Sequence, residues 1–185
     1  MYELRKRPLR VALSGKSGCG NTTVSSLLAK TLGVALVNYT FRQLSKETGL
    51  SLEEIIEQAR ADDSFDIRVD RRQVALAMKD SCVLGSRLAI WMLKEADFKV
   101  YLYAGSEVRA ARIHWREGGS REAHQRFTEL RDNEDTRRYK KIYHIDNDDY
   151  QFADLIIDTA KYNPEEIVSL ITAELRNRGL IAETK

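Results

Sequence analysis

The sequence predicts a three-layer α/β domain in which a five-stranded parallel sheet carries helices on both faces. Short apolar runs, each the length of a buried strand, alternate along the chain with segments of helical periodicity. Strands that are apolar on both faces are typical of a parallel sheet covered by helices. A glycine-rich stretch also separates the first predicted strand from the first predicted helix. Ligands bind such sheets at the carboxyl ends of the strands, so we expect the site at that edge.

Size and composition narrow the class of protein. A length of 185 residues with 43% hydrophobic residues predicts a single domain over residues 1–185. The net charge of +2 is too small to indicate a nucleic-acid partner. Two cysteines without metal-site spacing favour a reduced compartment, and no apolar run approaches the ~20 residues of a membrane span. We expect a cytoplasmic protein without membrane or nucleic-acid partners, and a monomer, with a dimer as the alternative.

The first half of the chain predicts three strands, one helix and a helical insertion. The strands are predicted at 10–14, 34–38 and 81–85, and the helix at 22–32. Residues 40–79 show helical patterns throughout, and capping boxes at Thr40 with Gln43 and Ser51 with Glu54 begin two of these helices. An all-helical insertion therefore lies between the second and third strands.

The second half predicts two further strands and mostly charged helices. The predicted elements are a helix or half-helix at 86–96, strands at 99–104 and 154–159, and helices at 106–117 and 120–143. Ser106 is expected to cap its helix, and Asn163 with Pro164 and Glu166 begins a last one. Trp91 and Trp115 lie on amphipathic helices, so we expect both to pack against neighbouring elements.

The glycine-rich stretch has the spacing of a phosphate-binding P-loop, G-x-x-x-x-G-K-[ST], in every position but one. It reads Gly15-Lys16-Ser17-Gly18-Cys19-Gly20-Asn21-Thr22, with Asn21 where the lysine should reach the phosphates. Glycines let successive N–H groups converge on an anion, and the following helix N-terminus adds partial positive charge. Neither needs the lysine, so we predict phosphate binding; the alternative is a turn without a ligand.

Arginines recur at helical spacing in the two charged helices. Arg109, Arg112 and Arg116 share one predicted face, and Arg131, Asp135 and Arg138 share another. Arginine forks bind phosphate oxygens in pairs, and a carboxylate between them can orient the forks. The alternative is a solvated helix with i,i+4 ion pairs such as Arg131 with Asp135.

Together these segments resemble the short, archaeal-type cytidylate kinases, which are P-loop nucleoside monophosphate kinases. The resemblance runs from the strand at Arg10 to the helix near Arg176. It is carried by the loop Gly15–Thr23, Phe41-Arg42, Asp70-Arg-Arg-Gln73, Val83-Leu-Gly-Ser-Arg87-Leu-Ala-Ile-Trp91, Arg109-Ala-Ala-Arg112-Ile, Arg131-Asp-Asn-Glu-Asp135-Thr-Arg-Arg-Tyr139-Lys-Lys-Ile-Tyr143 and Asp158-Thr-Ala-Lys161.

The resemblance implies a P-loop kinase fold that uses ATP and Mg²⁺ to phosphorylate CMP or dCMP. The helical insertion, about 40–79, would bind the acceptor, and a lid, about 112–130, would cover ATP. Thr22 would hold Mg²⁺ through its hydroxyl. The implied acceptor-binding residues are Arg42, Asp70, Arg71 and Arg87. The implied catalytic residues are Arg112, Arg131, Asp135 and Arg138, and similarity to deviant Walker A loops adds Lys16. The implied ATP-binding residues are Gly15, Lys16, Ser17, Gly18, Cys19, Gly20, Asn21, Thr22 and Thr23.

Two departures from the family pattern concern the ATP site. The P-loop lysine is replaced by Asn21, and Gly85 stands where the family carries an acid. Lys16 matches the extra lysine of deviant Walker A loops, so we expect it to supply the missing charge, with an exposed, unused lysine as the alternative. Two functions remain open from sequence: a (d)CMP kinase, and a nucleotide-binding pseudokinase without turnover. A weaker third is RNA binding by the basic lid.

Overall fold

The computed structural model describes residues 2–184, with the side chains of Arg116, Glu117 and Arg121 outside the described set. The predicted five-stranded parallel sheet is confirmed, in the order β3-β4-β2-β5-β6. The described strands are β1 (Tyr2–Leu4), β2 (Arg10–Gly15), β3 (Ala35–Val37), β4 (Cys82–Gly85), β5 (Phe98–Tyr103), β6 (Leu155–Asp158) and β7 (Ile181–Glu183).

Helices cover both faces of this sheet. They are α1 (Asn21–Leu32), α2 (Phe41–Thr48), α3 (Leu52–Ala61), α4 (Ser64–Ala77), α5 (Ala89–Met92), α6 (Ser106–Glu117), α7 (Arg121–Tyr143) and α8 (Pro164–Asn177). Alternate residues of β2 face opposite layers: Val11 and Leu13 pack with α1 and α8, whereas Ala12 packs with α4 and α5. None of the helices within the described part of the chain combines the length and apolarity needed to cross a membrane.

The insertion between β3 and β4 consists of α2, α3 and α4 and has a small apolar cluster of its own. Leu44 and Ile55 are fully buried there, beside Tyr39 and Val69. Both predicted capping boxes, at Thr40 and Ser51, form at the starts of α2 and α3. The insertion therefore has a core of its own, while the end of α4 also packs against the sheet through Ala77.

Three expectations about local structure are wrong. Gly105, not Ser106, is the N-cap of α6: the backbone of Gly105 is extended, and Ser106 is already the first helical residue. Of the two alternatives for residues 86–96, a helix or a half-helix, the full helix is wrong, because α5 has only four residues. Trp91 packs edge-on against Tyr101 and Phe152 as predicted, but the side chain of Trp115 is 88% exposed.

A second sheet, of two strands, was not predicted from the sequence. Strand β1 pairs antiparallel with β7, with Tyr2 opposite Glu183 and Leu4 opposite Ile181. Three-residue strands are too short to show an alternating pattern, and their pairing joins the two ends of the chain. Strand β1 lies beside α1, and β7 lies beside α8.

Helix α1 lies against β4 without room for a side chain at position 85. A Cβ on Gly85 would lie 2.5 Å from Oγ and 2.7 Å from Cβ of Ser25. Ser25 is fully buried, and its hydroxyl donates to the carbonyl of Thr22 at 3.3 Å. The glycine that breaks the family pattern therefore allows α1, and the loop before it, to approach the end of β4.

We expect Gly85→Ala to lower the free energy of unfolding by about 1–3 kcal/mol, because the added methyl group overpacks this contact. Ser25→Gly removes both atoms that the methyl group meets, although a glycine in a helix costs about 1 kcal/mol by itself. Urea denaturation of both single variants and the double variant measures the coupling. The double variant should lose less than the two single losses together, and strictly additive losses would contradict the contact.

Candidate active site

A cleft of about 790 Å³ opens at the carboxyl ends of β2 and β4. The loop 15–23 forms its floor, the insertion forms one wall, and α6 and α7 form the other. The predicted site residues that line it are Gly15, Lys16, Ser17, Gly18, Gly20, Asn21, Thr22, Thr23, Asp70, Arg87, Arg112, Arg131, Asp135 and Arg138.

Three predicted residues do not line this cleft. Cys19 is buried beneath the loop, at 2% exposure, and burial raises the pKa of its thiol. Arg42 on α2 and Arg71 on α4 are exposed outside the cleft lining. The structure thus gathers the loop and the α7 residues at one place but leaves these two arginines at the periphery.

The loop has the backbone of an anion-binding turn. Gly18 and Gly20 have positive φ angles of 84° and 88°, a region that side chains rarely enter. Gly20 is also the N-cap of α1, so the amino end of that helix points into the cleft. A Cβ on Gly18 would meet Cβ of Arg109 at 2.9 Å, so α6 lies directly behind the loop.

Asn21 ties the loop to the sheet and supplies no charge. Its Nδ2 donates to the carbonyl of Ser86 at 3.1 Å and to that of Leu13 at 3.4 Å. Its Oδ1 is buried and has no hydrogen-bond partner among the described residues. An amide here therefore links the ends of β2 and β4, and the cation must come from another position.

Lys16 is held in place by a carboxylate that sequence reasoning did not select. Its Nζ lies 2.6 Å from Oδ1 of Asp148, in the loop between α7 and β6, and its side chain is 24% exposed. Asp148 belongs to the run Asp146-Asn-Asp-Asp149, whose acidic composition was the only signal in the sequence. The pair places an ammonium group at the cleft without burying it.

The α7 residues form a network centred on Asp135. Arg87 donates to Asp135 Oδ2, and Arg138 donates to Asp135 Oδ1 at 3.0 Å. The i,i+4 pair of Arg131 with Asp135 considered from sequence is therefore wrong, since Asp135 joins Arg87 on the β4 side to Arg138. Burial alone would lower the pKa of Arg87, but Asp135 raises it.

Arg131 lines the same cleft without an ion pair of its own among the described residues. Burial lowers its pKa, and the nearby charge of Arg87 lowers it further. Two like charges drawn together in a partly buried cleft are relieved by an anion between them. The network therefore favours a phosphate group beside Arg131.

Asp70 presents a carboxyl of unusual pKa on the insertion side of the cleft. Burial raises its pKa from 3.8 to about 6, while the hydrogen bond from the Tyr143 hydroxyl, 2.7 Å long, opposes that rise. Asp66, one turn earlier on α4, also has a pKa raised by burial and lies 3.7 Å from Arg138. Asp66 and Tyr143 were not selected from sequence because their partners are distant along the chain.

The two described arginines of α6 do not share one role. Arg112 donates to the carbonyl of Gly18 at 3.3 Å and to Oγ1 of Thr159 at 2.9 Å, where it borders the cleft. Arg109 is only 4% exposed and pairs with Asp132 of α7 at 2.6 Å. The predicted phosphate-binding face of α6 is therefore wrong for Arg109, and the side chain of Arg116 lies outside the described residues.

The donor groups fit an ion held chiefly by nucleotide phosphates and water. Mg²⁺ prefers oxygen ligands and usually keeps several waters, with only one or two ligands from the protein. Thr22 lies in the first turn of α1 with its side chain open to the cleft, so its hydroxyl suits such a ligand. In the described part of the chain, no cluster of three His, Cys, Asp or Glu side chains could hold a metal by itself.

The fold resembles solved P-loop kinases of low sequence identity. A shikimate kinase from Bacteroides thetaiotaomicron superposes with a TM-score of 0.65 at 16% identity, over 92% of this chain and 99% of that one. A deoxyadenosine kinase from M. mycoides superposes with a TM-score of 0.57 at 16% identity, over 91% of this chain and all of that one. These likenesses confirm the predicted fold.

Proteins found by sequence share a much higher identity with this chain than these solved structures do. A protein named cytidylate kinase 2 from Borreliella afzelii is 47% identical over 93% of this chain and 99% of its own length. The cytidylate kinase of Pyrococcus horikoshii is 40% identical over 92% of this chain and 90% of its own length. The model of the cytidylate kinase-like family matches residues 10–161. The chain therefore belongs to the cytidylate kinase-like family.

Proposed function

We propose that this protein is a nucleoside monophosphate kinase that transfers the γ-phosphoryl group of ATP to CMP or dCMP. The observation that supports it most is one cleft of about 790 Å³ that is lined both by the phosphate loop and by Arg87, Arg131 and Arg138. The relatives named above are all called kinases, and the pseudokinase alternative finds no support among them. The protein acts as a monomer in this proposal.

The chemistry needs positioning and charge rather than a covalent intermediate. An oxygen of the acceptor phosphate attacks the γ-phosphorus, the bond to the β–γ bridging oxygen breaks, and ADP leaves. The loop amides hold the donor phosphates, while Arg131 and Arg138 lie against the equatorial oxygens, where charge must be neutralised. Asp135 keeps the forks of Arg87 and Arg138 at a fixed separation. Mg²⁺, with Thr22 as its protein ligand, supplies further neutralisation when bound.

Lys16 replaces the cation that Asn21 lacks. Its ammonium group borders the cleft floor and has a neighbour, Asp148, that restricts its motion. Because the partner carboxylate is 58% exposed, the pair is weak enough for phosphate oxygens to draw the ammonium group towards them. The lysine acts in cis in this arrangement, since Asp148 holds it beside its own loop.

The acceptor base is read on the insertion side. Asp70 lies in the cleft wall with its carboxyl fixed by Tyr143, which suits an acceptor for an amino group of cytosine. Arg42 and Arg71 are assigned to the acceptor on the family resemblance alone, because both are exposed outside the cleft lining. They would have to approach the cleft when the insertion closes on the acceptor.

A coupled assay of ADP release over CMP, dCMP, UMP and AMP tests the proposed function. We expect turnover on the order of 1–100 s⁻¹ with CMP or dCMP, as is usual for kinases. The purified protein without any acceptor serves as the control for ATP hydrolysis. Binding of ATP and CMP without turnover would contradict the proposal.

Replacement of Lys16 by alanine tests the source of the missing charge. We expect kcat to fall by about 10²–10³, the usual cost of removing one positioned donor to the transition state. Lys6→Ala is a matched control, because Lys6 also forms a 2.5 Å ion pair, with Asp97, and does not line the cleft. Asn21→Lys in the Lys16→Ala background should restore part of the rate. Full activity of Lys16→Ala would refute the role of Lys16.

A further inference from the structure

Arg109 is a buried cation that lies behind the phosphate loop, not inside the cleft. Its side chain is 4% exposed, and it does not line the cleft. Its Nε donates to the carbonyl of Ala104 at 3.1 Å, and its Nη1 donates to the carbonyl of Ser17 at 3.1 Å. Asp132 accepts from both terminal nitrogens, at 3.2 Å and 2.6 Å. One guanidinium group therefore joins β5, the loop and α7.

The bond to Ser17 bears on how the loop binds an anion. Consecutive N–H groups can converge on a phosphate only when the carbonyl groups of the same peptides point away from it, and those carbonyls then need donors. Arg109 supplies a donor for Ser17, and Arg112 supplies one for Gly18. Helix α6 thus satisfies two successive carbonyls from the outer side of the loop.

Helix α6 can lie this close to the loop because Gly18 has no side chain. The carbonyl oxygen and Cα of Arg109 would lie 3.0 Å and 3.1 Å from a Cβ at position 18. The helix is therefore in van der Waals contact with the loop backbone, and the guanidinium group reaches Ser17 from there. Glycine at 18 is required by this packing as well as by its φ angle of 84°.

The ion pair with Asp132 connects the loop, through Arg109, to the turn of α7 that carries the cleft-lining Arg131 and Asp135. Asp132 follows Arg131 directly and precedes Asp135 by three residues, so one turn of α7 holds all three. A bidentate pair fixes the rotation of α7 relative to α6 more strictly than a single contact could. The position of Arg131 and Asp135 is thereby tied to the position of the loop.

We propose that Arg109 is a positioning residue that shapes the phosphate loop for ATP and couples it to the arginine-bearing turn of α7. It touches neither nucleotide and acts through Ser17 and Asp132. The proposal rests on the proposed function for the identity of the donor. Its first consequence is ATP affinity, which can be measured without turnover.

The test compares the intact protein with Arg109→Lys and with the double variant Arg109→Met with Asp132→Leu. Replacing both partners of a buried ion pair by apolar residues of similar volume is often neutral for stability, whereas removing one partner is not. Lysine keeps the charge balance but cannot reach Ser17, Ala104 and Asp132 with one planar fork. Calorimetric titration gives the Kd of a non-hydrolysable ATP analogue and, separately, the Kd of CMP.

We expect the double variant to bind the ATP analogue at least about tenfold more weakly, a change of about 1.4 kcal/mol, with the Kd of CMP within about twofold of the original. Arg109→Lys should weaken ATP binding by at least about fivefold. In the assay, kcat should fall in both variants. A general loss of structure would weaken both ligands together, so equal losses for ATP and CMP would overturn the proposal.

Arg10→Met is the matched control. Arg10 also donates to two backbone carbonyls, those of Ala77 and Met78, both at 3.1 Å, but at the amino end of β2. The Kd of the ATP analogue for Arg10→Met should stay within about twofold of the value for the intact protein. If the double variant does not fold, Arg109→Lys decides, and unchanged ATP affinity in that variant would overturn the proposal. Absence of CMP turnover in the intact protein would refute the proposed function alone, because the Kd comparison does not depend on it.

Discussion

The site depends on one constraint: a loop that turns its N–H groups towards an anion must place its carbonyl groups somewhere else. Buried carbonyls without donors are costly, on the order of 1–3 kcal/mol each. In this protein Arg109 and Arg112 of α6 donate hydrogen bonds to the carbonyls of Ser17 and Gly18. Asn21 donates to the carbonyls of Leu13 and Ser86. The phosphate loop is therefore supported from outside by side chains and from below by the sheet.

The unusual residues of the loop can be understood from this support. A lysine at position 21 would place a positive charge beside the phosphates. The asparagine found there instead joins the ends of β2 and β4 by hydrogen bonds. Gly85 belongs to the same arrangement, because a Cβ there would meet Ser25 and approach Oδ1 of Asn21 at 3.2 Å. The two departures from the family pattern thus lie in contact, and we interpret them as one structural change rather than two separate losses. In the proposed function, the positive charge comes from Lys16 and from the arginines of α7.

Much of this could be predicted from sequence, because the signals are local. Buried parallel strands, the glycine spacing of the loop and the capping boxes at Thr40, Ser51 and Asn163 each lie within a few residues. Pairings between distant residues could not be predicted. Helical periodicity grouped Arg109 with Arg112, yet only the packing of α6 on Gly18 shows that one is buried and the other borders the cleft. Neither Asp148 nor Tyr143 was predicted as a site residue. Asp148 lies in an acidic run and Tyr143 in a family motif, but their partners, Lys16 and Asp70, are far away in the chain.

If the arginines of α6 and Asn21 support the loop as described, the loop is held in its binding shape before nucleotide arrives. Backbone ¹⁵N order parameters for the amides of residues 16–22, measured in the nucleotide-free protein, test this most directly. We expect values near 0.85, as in rigid backbone and similar to those of the α7 turn around Asp132. Values below about 0.6 confined to the loop would contradict it, because they would mean that the arginines of α6 do not fix the loop.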